Sequence, residues 1–207
     1  VGEPKDGLRV FAGSQTKVPW EATVVAKLPA AAGGVRFDLQ GNLYVGYIDK
    51  KPTTILPGFE SDPFAGAMGR IHKYAPTGTL ESGNLFPKVP AGPSMTYDVP
   101  YGAFDTDCIV RGPRFAGDGY GRLYYPTNIA PQVAVMDNAG NEILHFGTYG
   151  NRDSMGGLSG DPVPTKGIPL GFPNSVEATD NYIYVADMVN LRLLRLKKQF
   201  QVEVTSR

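Results

Sequence analysis

Apolar and polar residues alternate over short runs along most of this chain, and the runs recur as a unit. The segments Gly34–Val45, Pro113–Tyr125 and Pro173–Asp187 each read as a short strand, a polar turn and a second strand. A third alternating segment follows each of them, at Arg70–Tyr74, Gln132–Met136 and Arg192–Leu196. Ahead of the first copy, Leu8–Ala12 and Ala22–Leu28 read as two further strands, and Phe200–Thr205 alternates cleanly at the far end. Period two dominates.

One small sheet of this kind cannot bury both faces alone and must stack on its neighbours. The repetition therefore predicts an all-β, β-propeller-like architecture of about three to four four-stranded blades. Their approximate limits are residues 8–30 (a partial blade), 33–86, 111–150 and 171–207. Tyr44, Tyr124 and Tyr184 recur at one place in the repeat and are expected to pack between blades. They are separated by 80 and 60 residues, against about 40 to 50 for a plain blade. The surplus is assigned to loop insertions at 49–68, 87–110 and 151–170. Closed propellers typically have about four to eight blades, so the chain is expected to be a fragment, a subunit whose ring another chain completes, or one small ring. The fragment is preferred.

Composition agrees. The 26 Gly and 18 Pro exceed a fifth of the 207 residues, which suits many strands joined by tight turns and disfavours helices. Twenty basic residues balance twenty acidic ones, so no global field draws the chain to nucleic acid or an anionic membrane. No apolar run approaches the roughly 20 residues needed to span a bilayer. The start at Val1 is read as the result of leader removal or of a cut from a longer chain. The single cysteine, Cys108, excludes a disulfide within the chain. It is expected to be structural, since Asp107 opposes thiolate formation and no histidine is close in sequence.

The stretch 173–196, with Tyr182-Ile-Tyr-Val-Ala-Asp187, Asn190 and Arg192, resembles an NHL repeat. That family's pattern is a turn, an apolar strand ending in Ala-Asp, and then Asn-x-Arg before a further apolar strand. The second copy has Tyr125-Pro-Thr-Asn128 where the aspartate belongs, although 137–147 is similar to the family's turn and outer strand. The first copy keeps Asp38–Val45 but carries an insertion after it. The resemblance covers about half the chain and implies a propeller. NHL propellers include protein-interaction platforms, RNA-binding and sugar-binding domains, and a few lyases and lactonases with metals on the central axis. None of those functions follows from the fold alone.

Candidate sites are few. Asp187 and Arg192 at the ends of a hairpin can fix its turn through a charge-assisted bond; alternatively Asp187 faces the ring opening and binds a polar ligand. The two histidines, His72 and His145, sit on third and fourth strands, away from any axis, and are expected to be exposed. Asp105, Asp107 and Asp118 are candidate oxygen ligands for a structural calcium ion, with turn and capping roles as the simpler reading. No other cofactor is predicted. Loop aromatics Phe59, Phe64, Tyr97, Tyr101, Phe104 and Tyr149 are read as accessible, and Tyr97, Tyr101 and Phe104 are candidate contacts for carbohydrate or protein. The chain is thus read as a binding or interaction module, secreted or periplasmic, whose partner is another protein chain or the remaining blades. The alternative is part of a propeller-class enzyme, a lyase, lactonase or redox subunit whose catalytic groups lie largely outside this chain.

Overall fold

The computed structural model describes residues 9–12, 23–27, 32–49, 68–99, 114–127, 130–154 and 160–199. The described residues form strands and turns, with no helix among them. Strands β1 (Arg9–Ala12) and β2 (Thr23–Lys27) pair antiparallel by themselves. Sheet I follows in meander order: β3 (Ala32–Phe37), β4 (Leu43–Asp49), β5 (Met68–Tyr74) and β6 (Met95–Val99). Sheet II repeats the meander with β7 (Ala116–Gly117), β8 (Leu123–Thr127), β9 (Gln132–Met136) and β10 (Glu142–Phe146). A short parallel pair, β11 (Thr148–Tyr149) with β12 (Pro169–Leu170), links it to sheet III. Sheet III has β13 (Pro173–Ala178), β14 (Tyr182–Asp187) and β15 (Arg192–Lys197). The expected outer strand at 200–205 lies outside the described residues.

The three sheets stack face to face. Tyr44, Ile71, Tyr97 and Val99 of sheet I pack against Leu123, Tyr125, Ala134 and Met136 of sheet II. The opposite face of sheet II places Tyr124, Val133 and Val135 against Val176, Ile183 and Val185 of sheet III. The inner strands β8 and β9 of sheet II are therefore buried on both sides, and every residue of β8 is buried. Leu43, Val45, Tyr74 and Phe86 form a third cluster on the far face of sheet I. Each buried Leu, Val or Ile contributes roughly 1.5–3 kcal/mol, so stacking supplies the stability that an isolated meander lacks. The first strands of the sheets lie side by side, with Arg114 bridged to Ser175. Gly34 sits close against the Phe115 ring, where an added Cβ would come to 3.2 Å, tighter than ordinary van der Waals contact.

One turn design recurs. Asp38, Asp118 and Asp137 each accept, through Oδ1, the backbone N–H groups two and four residues on. Three residues after each aspartate stands Gly41, Gly121 or Gly140, at φ of 80°, 76° and 89°. The glycine N–H donates back to the aspartate carbonyl in all three. This is a hairpin turn closed by a glycine bulge, and the left-handed backbone there is what demands glycine. The turn before β14 differs, with Thr179 accepting the Tyr182 N–H through its hydroxyl.

Two sequence expectations need correction. Tyr97, read within a loop insertion, lies in β6 and is only 3% exposed. Prolines and glycines on either side mask the strand, yet Met95, Tyr97 and Val99 alternate with Thr96 and Asp98. His72, read as exposed, is buried in β5, because its face of sheet I is a core face. His145 is exposed, as expected from its place on β10.

Candidate binding surface

Asp187 ends β14 beneath the turn Met188–Leu191, and its carboxylate gathers the chain around it. Oδ1 accepts the N–H groups of Gly171 (3.0 Å) and Phe172 (2.9 Å). Oδ2 accepts Asn190 Nδ2 at 2.6 Å and Arg192 Nε at 3.2 Å. Arg192 also donates to the Pro169 carbonyl, and Asn190 to the Gly150 carbonyl. The motif aspartate, asparagine and arginine thus clasp the turn to the strands β11 and β12. Leu191 within that turn takes φ of 50°, the only positive value for a non-glycine residue among the described residues. The donors on Asp187 come from the chain itself, which is the turn-fixing geometry.

Asp118 is the second buried carboxylate. Its Oδ2 accepts Tyr124 Oη at 2.7 Å, Lys198 Nζ at 2.8 Å and Arg122 Nε at 2.8 Å. Burial alone would raise this carboxyl, but the hydrogen bonds from Lys198, Arg122 and Tyr124 outweigh it and hold the pKa at about 2. Burial and the neighbouring Asp118 push the Tyr124 hydroxyl well above its usual range. A cation seeking Asp118 would have to displace a lysine and an arginine. Among the described residues no cluster of three or more His, Cys, Asp or Glu side chains could hold a metal ion. Asp105, Asp107, Tyr101, Phe104 and Cys108 lie outside the described residues.

Tyr97 does not line a surface: its hydroxyl donates to the Asn138 carbonyl at 2.8 Å and its ring stacks on Tyr44 at 6.3 Å. Tyr47 and Tyr74 flank His72, with Tyr47 Oη 2.7 Å from Nε2 and Tyr74 Oη 3.2 Å from Nδ1. A neutral imidazole offers one donor and one acceptor, so it can serve both hydroxyls.

The outer face of sheet III departs from this burial. Register defines equivalent positions: Tyr44 faces Lys73 and Gly46 faces Ile71 in sheet I, while Tyr124 faces Val135 and Pro126 faces Val133 in sheet II. In sheet III the same places hold Tyr184 facing Arg195 and Ala186 facing Leu193. Ile71 and Val133 are both 0% exposed under the next sheet, whereas Leu193 is 69% exposed. Tyr182 and Tyr184 lie beside one another on this face at 6.4 Å, with the Arg195 guanidinium 5.1 Å from the Tyr182 ring. Lys73, the counterpart of Arg195, lies 5.4 Å from the Tyr44 ring at the covered face of sheet I. A cation over an aromatic ring is thus compatible with a stacked sheet here. Sequence reading registered the tyrosine repeat but missed Leu193, whose signal was its alignment with Ile71 and Val133.

No protein-family model and no curated protein matches the chain.

Proposed function

We propose that this chain is an interaction module, an NHL-like partial β-propeller whose ring is continued by a β-sheet of another protein chain stacked on the outer face of sheet III. The observation that carries this reading is the repetition of Ile71 and Val133 as Leu193, and of Tyr44 and Tyr124 as Tyr184. Two of these faces are covered by the next sheet and the third is open. A sequence that writes the same apolar device three times is expected to use it three times. The Asp187, Asn190 and Arg192 clasp supports the family resemblance in the last repeat. The partner's docking face should be apolar at its centre, with a carboxylate placed to meet Arg195.

The test is native mass by light scattering of tagged chain recovered from the cells that make it, with denaturing mass spectrometry to identify every chain present. The wild type should run in a complex of defined stoichiometry larger than its own 22.3 kDa. Leu193→Glu should run alone and remain folded. A wild-type chain that runs alone, or a Leu193→Glu chain that keeps the same complex, overturns the reading.

A further inference from the structure

Between sheets II and III, beside β10 and β15, an open cleft of about 240 Å³ remains. Its walls are Val135, Leu144, Phe146, Ile168, Ile183 and Leu196. The bulge between Glu142 and Leu144 shifts the pairing of β10 with β9, and both Ile143 and Leu144 border the cleft. Among the described residues, three charged residues line it, Arg122, Lys197 and Lys198, and all three are cationic. Asp118 stands behind Arg122 and Lys198 and offsets one of those charges. Asp180 lies near the Asp118 turn, within 2.9 Å of where a Gly119 Cβ would stand, and is not among the lining residues. Glu142 is held near His145 and likewise does not line the cleft.

We propose that this cleft binds a short apolar molecule ending in a single anionic group, its chain along Leu144, Phe146 and Leu196 and its charge toward Arg122 and Lys198. An apolar slot with a cationic end and no lining carboxylate among the described residues favours that class over a neutral or cationic one. Its volume of about 240 Å³ suits a chain of about six to eight carbons. The site is independent of the outer face of sheet III.

The experiment titrates octanoate, octan-1-ol and octylamine into the full chain carrying ¹³C-labelled Ile, Leu and Val methyls. Octanoate should give saturable shifts at Leu144, Ile183 and Leu196, with octan-1-ol at least tenfold weaker and octylamine giving none at these methyls. Leu144→Glu, at a position 48% exposed, should keep the native spectrum and weaken octanoate at least tenfold. Lys197→Glu, on the rim, should weaken octanoate and leave octan-1-ol unchanged. Equal affinity for octanoate and octylamine overturns the proposal. So does the absence of saturable shifts at the cleft methyls, or octanoate binding that Leu144→Glu leaves unchanged.

Discussion

Lys198 Nζ stands 2.8 Å from Asp118 Oδ2, joining residues 80 apart in sequence and tying the end of sheet III to the turn that opens β8. The lysine side chain is 5% exposed and the carboxylate fully buried. Such a pair is costly to break because the survivor is left charged in a poor solvent. The contact pins sheet III to sheet II beside the cleft.

Acid should loosen this joint over a defined window. The Asp118 carboxyl is held at about 2 in the folded chain, below its ordinary 3.8. A depressed folded value means that its contribution is complete above pH 4 and is lost as pH falls through about 2. The shift corresponds to roughly 2 kcal/mol. Urea unfolding between pH 5 and 2 should show this loss in the wild type, and Asp118→Asn should flatten that part of the profile. At pH 7, Asp118→Asn should cost about 3 kcal/mol. An unchanged pH profile in the variant would remove the assignment.

The glycine turns make a second prediction, about backbone rather than space. Gly121 has φ of 76°, and the nearest atom to an added Cβ is 3.4 Å away, so a methyl group fits but the backbone resists it. Gly121→Ala should destabilise by about 1–2 kcal/mol, with Gly121→Asn costing less because asparagine tolerates that region. Gly160, with nothing within 4 Å and no positive φ, should accept alanine with little change. Thermal denaturation of the three variants separates strain from crowding.

His72 offers a third. Its imidazole lies between the Tyr47 and Tyr74 hydroxyls, and its ring meets Tyr47 edge-on at 4.7 Å. His72→Leu keeps the volume but removes the polar link, and should cost about 1–3 kcal/mol in chemical denaturation. His145→Leu, on an exposed strand with Glu142 3.6 Å away, should change stability by less than about 0.5 kcal/mol. Equal losses for the two histidines would contradict the burial pattern.

These contrasts also show what the residues alone could reveal. The strands were readable because alternation is a local signal, and Gln132–Met136 coincides with β9 residue for residue. The Asp-x-x-Gly spacing at 38–41, 118–121 and 137–140 was equally local. Burial was not. Tyr97 and Tyr149 both read as loop aromatics, yet one lies under sheet II and the other is 68% exposed, a difference set by how sheets stack. The Lys198 and Asp118 pair joins distant residues in sequence, so no spacing rule could announce it.

The most discriminating prediction compares three equivalent residues. Ile71 and Val133 lie under the next sheet, so truncation to alanine should cost about 2–5 kcal/mol for Ile71 and somewhat less for Val133, which loses fewer methyl groups. Leu193 occupies the same register position but is 69% exposed, so Leu193→Ala should leave the isolated chain within about 0.5 kcal/mol of wild type. A core position and its surface counterpart would then differ only in whether a sheet covers them. In a complex with the proposed partner sheet the ranking should change, with Leu193→Ala lowering affinity at least tenfold while Leu39→Ala, exposed on the Asp38 turn, leaves it unchanged. Urea unfolding of the isolated chains and calorimetric titration of the complex read the two halves separately. If Leu193→Ala destabilised the isolated chain as much as Val133→Ala, the outer face of sheet III would already be covered by the chain itself.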